Sequence, residues 1–273
     1  MARKTTARVD LLPAQRHALI LDVLRDFGAA SVQDLADRLD ASVSTVRRDL
    51  DYLTEQGYLD RTHGGAVIRT VPSARFEPEA SISAELAKSQ KSLIGAEAAR
   101  RVKANQSILF DASSTVQAVS RCLFSAQTPI TAVTNDLITA GILSQSSRIE
   151  TIVTGGVVRS GTGTLIGAPG DPFLTTIHVD IAFIGVHAIS DQAFTETSLA
   201  LAAMKRRMIE AAAQVIVVAD SSKFGLTSFC DICALSDVDE VITDSGASAG
   251  QIDAVRAAGT KCSVVDVVTG QVR

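Results

Sequence analysis

The chain has 273 residues, 46% hydrophobic and 21% charged, the make-up of a globular protein long enough for two domains and a sizeable core. A formal net charge of −4 excludes a generally adhesive nucleic-acid binder. No apolar run approaches the ~18 residues of a membrane span, and the N-terminus lacks the apolar segment of a signal peptide. A cytoplasmic protein without membrane contact is therefore expected. Cys122, Cys230, Cys233 and Cys262 are too few for a disulfide framework. Cys230 and Cys233 form a C-x-x-C, but no second such pair or close His pair completes a zinc site. Reduced thiols, no metal and no cofactor are expected.

Residues 1–10 read as disordered, with Arg3, Lys4 and Arg8 as a basic arm. A first helix starts near Pro13, a residue tolerated in a first turn. It carries Leu19, Ile20, Val23, Leu24 and Phe27 toward a core and ends at Gly28. Ser31 opens a second helix with Asp34 as its capping acid and Val32, Leu35, Ala36 and Leu39 as its buried stripe. After the short break Asp40-Ala41, Ser42 caps a third helix. Val43, Val46, Leu50 and Leu53 share one face of it, which leaves Ser44, Thr45, Arg47 and Arg48 pointing outward; Gly57 lies where the helix stops. Small hydroxyls allow a backbone to approach a DNA major groove, and guanidinium groups one turn later reach phosphates or the guanine edge. Two exposed arginines alone describe a solvated face, and three helices alone a generic bundle. The tight second turn favours a helix-turn-helix with the last helix in the groove.

Tyr58 to Arg69 holds two short alternating runs around a Gly64-Gly65 turn, which reads as a β-hairpin. Beside a helix-turn-helix it becomes a wing, with Arg61, Thr62, His63 and Gly64 near its tip for phosphate or minor-groove contact. Residues 1–70 hold ten basic and ten acidic side chains. Asp22, Asp26, Asp34, Asp37 and Asp40 precede the Ser42 helix, whereas Arg47, Arg48, Arg61, His63 and Arg69 come within or after it, a polarity that fits a directed contact surface. Paired half-sites would multiply the affinity of so short a reading helix, so a homo-oligomer is expected.

The stretch Thr70–Ser83, with Pro72 and Pro78 and no periodicity, reads as a linker. The expected organisation is a DNA-binding domain over 1–69, a linker over 70–83 and an α/β domain over 84–273. The latter opens with a helix from Ala84 to Val102. Candidate strands are Ser107–Phe110, Ile130–Val133, Glu150–Val153, Ile181–Ile184, Val215–Ala219, Glu240–Ile242 and Ser263–Val265. Helices are expected at Val116–Phe124, Asp136–Ser144, Leu199–Ala213 and Ala249–Ala258. This alternation predicts a three-layer α/β fold with a mostly parallel sheet.

Ligands of such sheets sit beyond the carboxyl ends of the strands. Those ends carry Asp111 with Ser113, Ser114 and Thr115, then Thr134-Asn135-Asp136, Thr154-Gly155-Gly156, Asp220-Ser221-Ser222-Lys223 and Thr243-Asp244-Ser245. Hydroxyls and acids cap helices in any α/β protein, but several converging with a lysine suit a small polyhydroxylated anion. Asp111 and Asn135 suit sugar hydroxyls; Ser113, Ser114, Thr115 and Lys223 suit a phosphate.

Leu11-Leu12-Pro13-Ala14-Gln15-Arg16, Ser44-Thr45-Val46-Arg47-Arg48-Asp49-Leu50, Gly57-Tyr58-Leu59 and Arg61-Thr62-His63-Gly64-Gly65-Ala66 together resemble the winged head of DeoR-family transcriptional regulators. Asp111–Thr115, Thr134-Asn135, Thr154-Gly155-Gly156, Lys205-Arg206-Arg207-Met208 and Ala219 to Gly225 resemble that family's sensor domain, itself similar to sugar-phosphate isomerases. The resemblance implies sequence-specific operator binding, usually repression of carbohydrate-use genes, and a phosphorylated sugar or polyol bound without turnover. It adds Thr134, Gly155, Gly156, Glu196 and Lys205 to the effector-binding residues and implies no catalytic ones. The family's Asp-x-Gly-Thr-Thr reads Asp111-Ala112-Ser113-Ser114-Thr115 here, its Gly-Ala-x-Gly reads Gly185-Val186-His187-Ala188, and its Gly-x-Thr reads Ala193-Phe194-Thr195. Two alternatives stand beside the regulator: an isomerase using Asp111, Glu196, Asp220 and Lys223, and a constitutive DNA-binding scaffold with a vestigial pocket. The arginine-bearing head favours the regulator.

Overall fold

A computed structural model describes residues 11–69 and 73–272; the disorder and basic arm expected over residues 1–10, and positions 70–72 of the expected linker, lie outside them. The chain divides into two units between Leu86 and Ala87.

In the first unit, α1 (Pro13–Phe27) ends at Gly28, whose N–H bonds the Leu24 carbonyl at 2.9 Å. Its inward stripe is His17, Ile20, Leu21 and Leu24. Leu19 and Phe27, expected in the core, are 42% and 62% exposed, because their positions fall off that stripe; Arg38 covers the Phe27 ring at 4.7 Å. β1 (Ala29–Ser31) leads into α2 (Val32–Arg38). The Ser31 hydroxyl accepts from the Asp34 N–H (3.1 Å) and donates to the Asp34 carboxylate (2.6 Å). In α3 (Val43–Glu55), the Ser42 hydroxyl accepts from the Thr45 N–H at 3.1 Å, and Val46, Leu50 and Leu53 are fully buried.

β2 (Leu59–Thr62) and β3 (Gly65–Ile68) pair antiparallel. The turn residues are His63 and Gly64 rather than the two glycines, since Gly65 already pairs with both Thr62 and Ser31. A Cβ on Gly65 would lie 2.2 Å from the Ala30 carbonyl oxygen, so the second glycine lets a third strand, β1, join the wing. The segment expected to be a linker ends in α4 (Ala80–Glu85). Ile82 and, just beyond it, Leu86 are apolar and bury in the core of the first unit. The single helix expected from Ala84 is thus two helices, broken where Ala87 takes the left-handed conformation (φ 50°) before α5 (Lys88–Ala99).

In the second unit, β4 (Ser107–Phe110), α6 (Ser114–Ala126), β5 (Ile130–Thr134), α7 (Leu137–Leu143) and β6 (Ile149–Val153) alternate. A two-strand ribbon, β7 (Val157–Val158) with β8 (Leu165–Ile166), and the short α8 (Gly170–Leu174) come next. β9 (Val179–Ile184), β10 (Ala188–Ile189), β11 (Ala193–Glu196), α9 (Leu199–Glu210), β12 (Ala212–Val218), β13 (Cys230–Ala234), β14 (Glu240–Asp244), α10 (Ala249–Ala257) and β15 (Lys261–Val265) complete it. Seven strands form a parallel sheet in the order β15-β14-β12-β9-β4-β5-β6. These are the seven strands expected from the alternation; the antiparallel sheet β10-β11-β13 was not foreseen, because its strands are short and lack a long apolar run. Two apolar clusters contain the buried side chains of the sheet and of the helices packed on it. No helix among the described residues is long and apolar enough to cross a membrane.

At the amino ends of β14 and β15, Glu240 accepts from Arg101 (2.7 and 3.0 Å) and from Ser263 (2.6 Å), and Lys261 lies 3.1 Å away. Arg101 also reaches Glu97 of α5 at 2.6 Å. Burial alone would raise the Glu240 carboxyl, but these partners hold it at about 2. A carboxyl depressed on folding stabilises above its unfolded value and loses that contribution as pH falls through the folded one. Glu240→Gln is expected to cost ~3 kcal/mol at neutral pH and almost nothing near pH 2, measured by denaturant unfolding across that range. A cost that stays the same down to pH 2 would contradict this account.

Candidate functional site

The two arginines of α3 are exposed, and its third charged residue is not. Arg47 and Arg48 face solvent, with the Arg48 Nε donating to the Ser44 carbonyl at 3.3 Å. Asp49 is 6% exposed and turns toward α1, where Arg16 holds it with two bonds (2.9 and 3.0 Å) and the His17 Nε2 lies 3.1 Å away. Burial would raise its carboxyl, but the bonds to His17 and Arg16 keep it below the ordinary aspartate value. Arg-Arg-Asp is therefore two outward cations and one inward anchor. Reading the motif by charge alone missed Asp49, whose place beside Leu53 at the edge of the apolar stripe on the helical wheel was the available signal.

The hydroxyls at the start of α3 are tied locally: Ser42 Oγ lies 2.8 Å from both Ser44 Oγ and Thr45 Oγ1. Thr62, His63 and Gly64 are exposed at the wing's turn. Arg61 approaches Asp51 of α3 at 3.7 Å, and Arg69 binds Asp60 across the hairpin at 2.6 Å. The wing thus lies beside the outward side of α3.

In the second unit, the chain starts its sheet in the middle, at β4, runs outward through β5 and β6, and returns on the other side at β9. The crevice between β4 and β9 is the point where strand order reverses, the place where such sheets take ligands. Asp111, just past β4, accepts from the Gly185 N–H just past β9 at 3.0 Å. Lys205 of α9 lies beneath them. Its ammonium donates to the Glu196 carboxylate (2.6 Å) and the Gly185 carbonyl (2.8 Å), and lies 3.4 Å from Asp111. Glu196 also accepts from the Thr197 N–H (2.8 Å) and hydroxyl (3.2 Å). A Cβ on Gly185 would lie 2.3 Å from the Ser113 side chain, so only glycine lets the two strand ends close this tightly.

Two carboxylates and one ammonium, all at most 5% exposed, share this floor. Burial drives the Asp111 carboxyl above its ordinary value, with Lys205 only partly opposing. Burial would raise Glu196 too, but the Lys205 charge and hydrogen bond hold it down. Lys205 itself, which burial would depress, is raised by both acids. Its three N–H directions are spent on Glu196, Gly185 and Asp111, so Lys205 orients the acids from below.

Of the expected effector-binding residues, Ser113, Ser114, Gly155, Gly156 and Lys223 are partly exposed, whereas Asp111, Thr115, Thr134, Asn135, Glu196 and Lys205 are buried. Ser113 caps α6 by accepting from the Thr115 N–H at 3.3 Å. Thr134 is committed to backbone, donating to the Phe110 carbonyl (2.9 Å) and accepting from the Asp136 N–H (3.0 Å). Gly155 and Gly156 pack beneath Pro169 and Ile166. Asn135 Nδ2 lies near the Leu165 carbonyl (3.4 Å) and Met204 Sδ (3.3 Å), while its Oδ1 is buried with no hydrogen-bond partner among the described residues. Lys223 sits in a single 3₁₀ turn after β12, two strand spacings (roughly 10 Å) from the end of β4. The Cys230 thiol donates to the Glu196 carbonyl at 3.4 Å, and burial pushes the Cys233 thiol up to about 12. Gly185 and Thr197 were not among the expected site residues; Gly185 was visible only as the retained first glycine of the altered motif after the fourth strand.

Residues 16–71 match the DeoR-like helix-turn-helix domain and residues 87–245 the DeoR C terminal sensor domain. The HTH-type transcriptional regulator GlpR of Haloferax volcanii is 33% identical, over 94% of this chain and 99% of its own length. The HTH-type transcriptional repressor GlcR of Bacillus subtilis is 34% identical, over 84% of this chain and 88% of its own length. The glycerol-3-phosphate regulon repressor of Escherichia coli is 30% identical, over 85% and 90%. With both domains matched in order and these relatives aligned over most of their length, the chain belongs to the DeoR family of transcriptional regulators.

Proposed function

We propose that this protein represses carbohydrate or polyol catabolic genes by binding an operator as a homo-oligomer, and that a phosphorylated sugar or polyol releases it. The observation that carries the reading is the split on α3: Arg47 and Arg48 are exposed while Asp49 locks the same helix to α1. A helix held from behind presents its cations in fixed register, which base readout requires and phosphate attraction alone does not. The repressor names of two relatives support the direction of control, and the glycerol-3-phosphate regulon of the third supports a phosphorylated polyol.

In the sensor, Ser113, Ser114 and Thr115 at the start of α6 offer hydroxyls and helix N–H groups to a phosphate, with Lys223 approaching from beyond β12. Thr134, Asn135, Gly155 and Gly156 would bound the sugar's side of the crevice, the Asn135 Oδ1 accepting a hydroxyl. Asp111 and Glu196 would form the floor, oriented by Lys205. An isomerase needs a mobile acid or base at the substrate carbon. Here Asp111 and Glu196 are buried against Lys205, and Asp220 is buried and accepts from the Ser222 N–H and hydroxyl, an arrangement that supports binding without turnover.

Duplexes selected by the full chain from a random pool provide the test for the head. Arg47→Ala or Arg48→Ala should each cost ~1–3 kcal/mol of affinity and relax preference at one base position. If both variants bind and discriminate as the wild type does, α3 is not the reader. Arg61→Ala should weaken selected and random duplexes by the same factor and lower the salt slope by about one; a loss confined to one base position would assign the wing to sequence reading instead.

For the sensor, calorimetry with sugar and polyol phosphates against their unphosphorylated parents should show phosphate-dependent binding that Lys223→Ala abolishes. The same ligand should weaken DNA binding, and DNA should weaken ligand binding, by one factor. Equal binding of the unphosphorylated parents would refute the phosphate site.

A further inference from the structure

Between the two matched family domains, residues 16–71 and 87–245, lies α4, and it is built into the reading head. We propose that Glu79, at the start of α4, is a positioning residue for DNA reading: through Tyr52 it sets the orientation of α3. The inference rests on the reading of α3 as the DNA-contacting helix.

Two tyrosines that bracket the end of α3 hold Glu79. Tyr52, within the helix, donates its phenol proton to the Glu79 carboxylate, and the Glu79 N–H donates to the Tyr58 hydroxyl at 2.7 Å. Neither grip is on a loose tether. Ile82 and Leu86, one turn and two turns further on, are 1% and 5% exposed in the head core, and the Tyr58 ring meets Phe76 edge-on at 5.0 Å.

From Tyr52 the contact continues inward. Its ring stacks on His17 at 4.8 Å and 17°; His17 lies against Asp49, and Asp49 is held by Arg16. One connected set of polar and ring contacts therefore keys α4, α3 and α1 together. Arg48 lines the same open groove as Arg16, His17, Asp49, Tyr52 and Glu79. A shift of α3 at Tyr52 displaces Arg48, one turn away on that groove. Losing the Tyr52–Glu79 bond should then spoil register, which costs specific binding, while phosphate attraction survives.

The chain has two tyrosines and no tryptophan, so phenol absorbance reports this clasp alone. Glu79→Ala, Glu79→Gln and Tyr52→Phe in the full chain are compared on a selected duplex and a random duplex. Glu79→Ala and Tyr52→Phe should weaken the selected duplex about three- to tenfold, the net worth of one solvent-exposed hydrogen bond. The random duplex should change less than about twofold. Glu79→Gln, which still accepts from the phenol, should stay within about twofold of the wild type on both. In spectrophotometric titration the Tyr52 phenol, which the Glu79 carboxylate pushes up to about 12, should fall toward the ordinary value of ~10 in Glu79→Ala. Equal losses on both duplexes, or Glu79→Gln as weak as Glu79→Ala, would overturn the proposal and leave Glu79 a stabilising residue only. Should Glu79→Ala fail to fold, Tyr52→Phe, which keeps the ring on His17, decides alone. Failure of the wild type to select any duplex would refute the DNA-reading assignment itself and is thereby distinguished.

Discussion

One buried ammonium organises the sensor. Lys205 comes from α9, yet its partners belong to three other places in the chain: the end of β4, the turn after β9 and the end of β11. Carboxylates as buried as Asp111 and Glu196 are tolerated only where a charge and hydrogen bonds compensate for lost water. The crevice at the reversal of strand order therefore exists because Lys205 makes its floor affordable. A single positive charge cannot fully compensate two acids. The imbalance falls on Asp111, the acid farther from the ammonium, and its carboxyl is the one pushed upward. The floor is thus asymmetric, a firm ion pair on the Glu196 side and a more easily protonated group beside Gly185.

The head solves a related problem with the opposite geometry. Its arginines face solvent, and the charge that locates α3 lies on the other side, where Asp49 meets Arg16 and His17. A hydrophobic stripe alone would leave the helix able to roll, because dispersion contacts are weakly directional. A bidentate guanidinium–carboxylate pair is directional and fixes the roll. In both units, then, a buried charged group fixes its neighbours from the side turned away from solvent.

Much of this was legible from residue order. The periodicity of Val43, Val46, Leu50 and Leu53 located α3, and the apolar runs located all seven strands of the main sheet, because a parallel strand buried on both faces must be continuously apolar. What escaped was set by long-range packing. Ala29–Ser31 is too short to announce a strand and becomes one only because Gly65 admits it. Thr70–Ser83 looks like a linker because it holds two prolines and no periodicity, yet Ile82 within it and Leu86 just beyond it are buried in the head core. At the strand ends, residue chemistry alone could not separate buried floor from exposed rim. Lys205 and Lys223 look alike in a motif; one is enclosed by acids and the other stands at the rim.

The position of β4 in the sheet also bears on the order of assembly. β4, β5 and β6 are joined by local strand-helix-strand connections and can pair as soon as they are made. The β4–β9 junction instead brings together Asp111 and Gly185, separated by 74 residues, and closing so long a loop is slow. Asp111 therefore waits, hydrated and charged, on the open edge of a half-sheet until β9 and α9 arrive. The crevice floor cannot close before α9 has been made, whereas every residue of the head precedes β4 in the chain.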